Sequence, residues 1–248
     1  MTCRLVNLCI DANDPLALAR FWSGVLGWEL AHDLADVALV PNDDTGFKIR
    51  FLPTNEQKTV PNQMHFDLTS TSLEDQHRTV TRALELGAHH LDVGQRPEEG
   101  HVVLADPEGN ELCVIGPGNQ FLADCGFIGA LASEGSREVG YFWSHALAWP
   151  LVWNQGEETA IRSPHGGPKI TWAEDRSRRR PESTDGISTS RRPMTMANRA
   201  RSSASFHWGR HSSTSASATC VGWGWPIPTA MSSACCHRRN AERVQRLE

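Results

Sequence analysis

DPLALARFWSGVLGW, residues 14–28, decides the fold. Asp14-Pro15 is turn and helix-start chemistry, and the apolar run Leu5 to Ile10 lies ahead of it at strand length. From Pro15 the apolar residues Leu16, Ala19, Phe21, Trp22, Val25 and Leu26 recur at helical spacing, and Gly27 stands where a left-handed C-terminal cap belongs. The stretch is therefore an amphipathic helix that leaves one strand and packs back onto a sheet. Three strand candidates follow, Trp28 to His32, Asp36 to Pro41 and Phe47 to Leu52, separated by turn residues such as Asn42 to Gly46. The order is βαβββ.

The order then repeats. Met64-His65-Phe66-Asp67-Leu68 alternates like a strand with one buried and one open face, and a helix is expected from about Ser72 to Leu86, ended by Gly87. Strand candidates His90 to Val93, His101 to Leu104 and Glu111 to Ile115 follow, the last two joined by the turn Asp106-Pro107-Glu108-Gly109-Asn110. A longer repeat has an offset of 121 residues: Phe21-Trp22-Ser23 returns as Phe142-Trp143-Ser144, Leu26-Gly27-Trp28 as Leu147-Ala148-Trp149, and Lys48-Ile49 as Lys169-Ile170. A third unit thus starts near Phe127.

Composition bounds the rest. With 248 residues, 39% hydrophobic and 21% charged, the chain can bury one or two ordinary cores. No stretch reaches the roughly 18 consecutive apolar residues of a membrane span, and Met1 to Ala12 lacks a leader's basic start and long apolar run, so a cytoplasmic protein is expected. Seven cysteines without metal-ligand spacing read as free thiols. There is no P-loop, dinucleotide glycine fingerprint or nucleophile elbow.

The two ends of the chain differ. Residues 1–172 hold 11 Lys+Arg against 23 Asp+Glu, a net of −12, whereas 173–248 hold 13 against 6, a net of +7. Leucine falls from twenty residues to one, Leu247, and Ser, Thr and Arg crowd in, which predicts a tail too poor in apolar side chains to fold. A basic arm that tracks nucleic acid is one reading of this tail. The preferred one is a one-base shift near residues 173–178. Read in codons displaced by one base, Arg179 to Met194 gives KTGIDGRHLDLAPPD, Trp208 to Thr219 gives LGAPLVDIGQRD, and Trp225 to Cys236 gives LADPDGNEFCVL. The last string parallels Leu104 to Val114 in residue type. On this reading the product has lost the last half of a second domain, and a non-functional product is one alternative.

The paired units carrying Asp14-Pro15, Phe21-Trp22, Leu26-Gly27, His65-Phe66-Asp67-Leu68 and Asp106 to Glu111 resemble the vicinal oxygen chelate superfamily, in its glyoxalase-like, bleomycin-resistance-like branch. The resemblance implies an α+β fold of paired βαβββ units whose sheets curl into a cup. It divides the chain into a domain at 1–118, a linker at 119–126, a half-domain at 127–172 and a tail at 173–248. It also implies a small-molecule ligand in the cup of 1–118, often over a divalent metal. Neither a nucleic acid nor a membrane is an expected partner, and a second copy of the chain closing the cup stays open.

Metal-using members draw ligands, usually His and Glu, from the first, fourth, fifth and eighth strands. Those positions fall here on Asn7, Arg50, His65 and Cys113, so one ordinary ligand of four remains. Arg50 brings a fixed positive charge where a cation would sit, which argues against glyoxalase I chemistry. His65 is the candidate base or metal ligand, with a hydrogen-bonded cavity histidine as the plainer reading. Cys113 is read as a small buried hydrophobe before a thiolate ligand. His89 and His90 point to opposite faces, and Trp22, Trp28, Trp143 and Trp149 are read as core. Two functions remain: a binding module with a degenerate metal site, slightly preferred, and a lyase or dioxygenase acting on a small oxygenated substrate with Arg50 as carboxylate clamp.

Overall fold

The computed structural model describes residues 3–32 and 37–174, together with the backbone of three short strands beyond them. The first unit is β1 (Arg4–Ala12), α1 (Pro15–Leu26), β2 (Glu29–His32), β3 (Val37–Val40) and β4 (Lys48–Pro53). The Asp14 side chain accepts from the Ala17 amide and Gly27 closes the helix at φ 71°, so both ends predicted for α1 are in place. The second unit is β5 (Met64–Leu68), α2 (Leu73–Glu85, capped by the Ser72 hydroxyl), β6 (His89–His90), β7 (His101–Ala105) and β8 (Glu111–Ile115). The third is β9 (Ile128–Glu134), α3 (Arg137–Leu147), β10 (Leu151–Gln155), β11 (Glu158–Ser163) and β12 (Gly166–Ala173). The fold is α+β with mostly antiparallel sheets. Among the described residues no helix is long and apolar enough to cross a membrane.

Within each unit the first and fourth strands lie side by side and parallel: β1 with β4, β5 with β8 and β9 with β12. The other pairings inside the units are antiparallel. Local details recur at the offset of 121 residues. Ser23 Oγ donates to Trp28 O and Ser144 Oγ to Trp149 O, each at 2.7 Å, and the rings of Phe21–Trp22 and Phe142–Trp143 meet edge-on at 5.4 and 5.3 Å. Where Gly27 ends α1, Ala148 ends α3 with φ 54°, a left-handed conformation that costs an alanine energy.

The edges pair differently from the expected cup of 1–118. The free edge of β5 is taken by β9 of the third unit, antiparallel, with His65 opposite Ala132 and Asp67 opposite Ala130. One sheet of eight strands therefore runs β10-β11-β12-β9-β5-β8-β7-β6, while β1 to β4 belong to another. The free edge of β1 takes β14 (Phe206–Trp208) in parallel and β15 (Ser215–Cys220) antiparallel, with β13 (Ser202–Ser203) beyond. The rest of 175–248, where the displaced-frame strings mostly fall, lies outside the described residues. The thiol reading also needs correction: among the described residues Cys9, Cys113 and Cys125 are thiols, but Cys3 is disulfide-bonded.

The first two units are joined through their helix sides instead of their edges. Trp22 of α1, fully buried, meets Phe66 of β5 edge-on with ring centroids 5.1 Å apart, and its indole N–H donates to Asp106 at 3.1 Å. The Glu108 carboxylate of the same turn accepts from the amides of Asn13 and Asp14 at 2.8 Å each. The Asp106–Asn110 turn thus caps the start of α1, and one continuous core spans all three units.

Candidate binding face

Alternation separates the two faces of the eight-stranded sheet. Phe66, Leu68, Leu112, Val114, Leu131 and Ile170 point to the helix side and are buried. On the opposite face the register aligns His65 and Asp67 of β5, Glu111 and Cys113 of β8, Ala130 and Ala132 of β9, and Lys169 and Thr171 of β12. The expected site set is therefore split. His65 and Cys113 share this face, whereas Asn7 and Arg50 stand on β1 and β4 of the other sheet, also on the side away from α1. Edge pairing decides this division, because a strand's side-chain pattern says which face is buried and not which neighbour its backbone takes.

His65, Asp67 and Cys113 form one cluster. The His65 Nε2 lies 3.4 Å from the Asp67 carboxylate, and one donor atom from each of the three residues falls within 4.8 Å of the others. His65 keeps 34% of its side chain exposed and Asp67 20%. Desolvation works against a charged imidazole here, but hydrogen bonds to Asp67 and then Cys113, with their charges, outweigh it and push the His65 pKa up from 6.5 to about 10. Asp67 was missed in the sequence, although its place two residues after His65 on a strand puts it on the same face. Nearby, Glu111 is held by Lys58 at 2.6 Å and accepts from the Asn62 amide.

The segment joining β8 to β9 lies across the other half of this face. Lys169 Nζ donates to Phe121 O and sits 4.5 Å from the centre of the Phe121 ring, which in turn meets Trp153 edge-on at 5.4 Å. The Arg162 guanidinium donates to Asp124 O at 2.5 Å. Leu122 is buried over Gly129, where a Cβ would lie 2.9 Å from its Cδ1. This strap fills the β11–β12 side, while on the β5–β8 side His65, Asp67 and Cys113 stay partly exposed.

The donor set retains only part of the metal site implied by the resemblance. Three donors match the count of a catalytic zinc site, and His65 Nε2 stands 3.4 Å from the Asp67 carboxylate, within the roughly 3.3–3.8 Å that bonds of about 2.0–2.3 Å set between tetrahedral donors. The neighbouring strands add no further ligand: β9 and β12 offer Ala130, Ala132, Lys169 and Thr171 in place of His or Glu. His89 and His90 are exposed at the sheet's far edge and take no part. Trp22, Trp28 and Trp143 are core residues, as read.

Residues 7–115 match the family model described as Glyoxalase-like domain. No curated protein matches the chain. Among solved structures, glyoxalase I from Zea mays has a TM-score of 0.50 at 12% identity, covering 70% of this chain and 68% of its own. A variant of the same maize protein gives a TM-score of 0.50 at 13% identity over 69% and 68%. A glyoxalase/bleomycin resistance protein/dioxygenase family enzyme from Burkholderia phytofirmans gives 0.35 at 18% identity, covering 45% of this chain and 96% of its own. At these identities the likeness concerns the fold.

Proposed function

Because residues 7–115 are a glyoxalase-like domain of the vicinal oxygen chelate superfamily, we propose that the chain binds a small molecule on the open face of the eight-stranded sheet without the metal of that superfamily. The observation that carries this reading is the cluster of His65, Asp67 and Cys113, partly exposed, with small, half-buried Ala132 opposite His65 and the half-buried Phe121 ring on the strap alongside. The small side chain leaves room, the aromatic ring offers an apolar wall and the three polar groups orient the guest. Asn7 and Arg50 belong to the matching face of the other sheet and form no part of this floor.

The test is titration of the fluorescent probe 8-anilinonaphthalene-1-sulfonate with metal content measured in parallel. Saturable binding of about one probe per chain by metal-free protein, weakened at least fivefold by His65→Ala, supports the proposal. Binding indifferent to both His65→Ala and Phe121→Ala places the site elsewhere. Stoichiometric zinc, nickel, manganese or iron lost on His65→Ala restores a metal-dependent reading.

A further inference from the structure

Two basic side chains meet under the strap. The register of β11 and β12 sets Arg162 opposite Lys169, and the same row continues through Ala130 of β9 to Asp67 of β5. Lys169 is only 9% exposed, and among the described residues neither cation forms an ion pair. Their partners are neutral main-chain oxygens: Lys169 donates to Phe121 O, and Arg162 to Asp124 O at 2.5 Å and to Gly167 O at 2.9 Å. Asp67 stands two strands away from Lys169, roughly 10 Å at a strand spacing of about 4.8 Å, with its carboxylate 3.4 Å from His65. A carbonyl satisfies a donor but leaves the charge uncompensated, and buried charges are ordinarily paired.

Phe121 gives Lys169 two things at once, a carbonyl oxygen and a ring whose centre lies 4.5 Å from Nζ. Within that residue the ring and the carbonyl are joined through Cβ and Cα, which is the skeleton of an arylpropanoate whose carboxylate has become an amide. We propose that Phe121 is a built-in stand-in for the guest, and that Lys169 and Arg162 form the anion-recognising end of the face, taking an aryl-substituted alkanoate that displaces the strap. Phe121 walls the empty site and yields its place to the guest. The guest's ring then meets Trp153, which now lies edge-on to Phe121 at 5.4 Å, and its two carboxylate oxygens accept from the two cations. What the guest adds over the strap is a negative charge. The strap can give way because residues 116–127 carry no helix or strand, so lifting them unpairs no part of the sheet.

The inference rests on this face binding a small molecule, yet its readout is separate. The full chain is titrated calorimetrically with 3-phenylpropanoate and with its neutral amide, 3-phenylpropanamide. The acid is expected to bind at about one per chain and at least about tenfold more tightly than the amide. Lys169→Met is expected to weaken the acid by at least about tenfold and to leave the amide within about twofold. Phe121→Ala is expected to tighten the acid at least about threefold, because the stand-in no longer competes for the site. Equal affinities for acid and amide overturn the anion end, and acid binding unchanged or weakened by Phe121→Ala overturns the stand-in. If Lys169→Met does not fold, the acid-to-amide ratio and Phe121→Ala decide alone. Anilinonaphthalene sulfonate binding that depends on His65, in a chain that does not take the acid, refutes this inference and spares the reading beneath it; loss of both refutes the two together.

Discussion

Replacing Asp106 by alanine tests how the first two units are held together. The carboxylate is fully buried and accepts from Trp22 Nε1 at 3.1 Å, from the Asn110 amide at 2.9 Å, from Asn110 Nδ2 at 2.9 Å and from the Glu108 amide at 2.9 Å. Burial pushes its pKa up, so part of the worth of these bonds is offset by the cost of desolvating the charge. Removing it takes the acceptor from three buried donors, Trp22 Nε1, the Asn110 amide and Asn110 Nδ2, at about 1–3 kcal/mol each, while the Glu108 amide, only part-buried, can turn to water. The expected loss is about 3 kcal/mol in urea unfolding followed by far-ultraviolet circular dichroism. Trp22→Phe alone is expected to lose about 1–2 kcal/mol, and the double variant less than the sum by about 1 kcal/mol, since one bond is counted in both. A loss below about 1 kcal/mol for Asp106→Ala, or strict additivity, would refute the joint as described.

Three other outcomes follow from named contacts. Ala148→Gly relieves the left-handed cap of α3 and is expected to stabilise by roughly 0.5–1 kcal/mol, read as a rise in the urea midpoint. Gly140→Ala puts a Cβ 2.0 Å from Thr159 Oγ1 and 3.2 Å from the Trp172 ring, and overpacking of this kind is expected to cost about 2–3 kcal/mol by the same measurement. His65 has its folded pKa raised from 6.5 to about 10, so its contribution is fully present below about pH 6.5 and is lost as pH rises through 10. Wild-type stability is expected to fall across that window relative to His65→Gln, and parallel pH curves for the two proteins would contradict the assigned pairing.

Much of the fold was legible because its signals are local. Asp14, Ser72 and Gly27 stand where caps belong, and the alternation of Met64 to Leu68 named the buried face correctly. Edge partners carry no such mark. The backbone groups of β5 can pair with β1 or with β9 alike, and the short connection from Ile115 to Ile128, which brings β9 alongside, left no periodic trace. The candidate site inherits this gap. Cys113 and His65 were found as a pair, Asn7 and Arg50 were assigned to them through a neighbour relation the sheets do not make, and Asp67 was overlooked. Lys169 and Phe121 could be foreseen only by knowing that the linker lies on the sheet.

The β5–β9 seam has a consequence for how such chains are cut. Antiparallel pairing is its own mirror partner under a twofold rotation, so the edge of Met64 to Leu68 that β9 covers is equally able to accept the same edge from another molecule. A fragment stopped after Ile115 would bare those N–H and C=O groups. One polypeptide holding all three units therefore settles internally, by tethering, a junction that its isolated front half would have to find by collision.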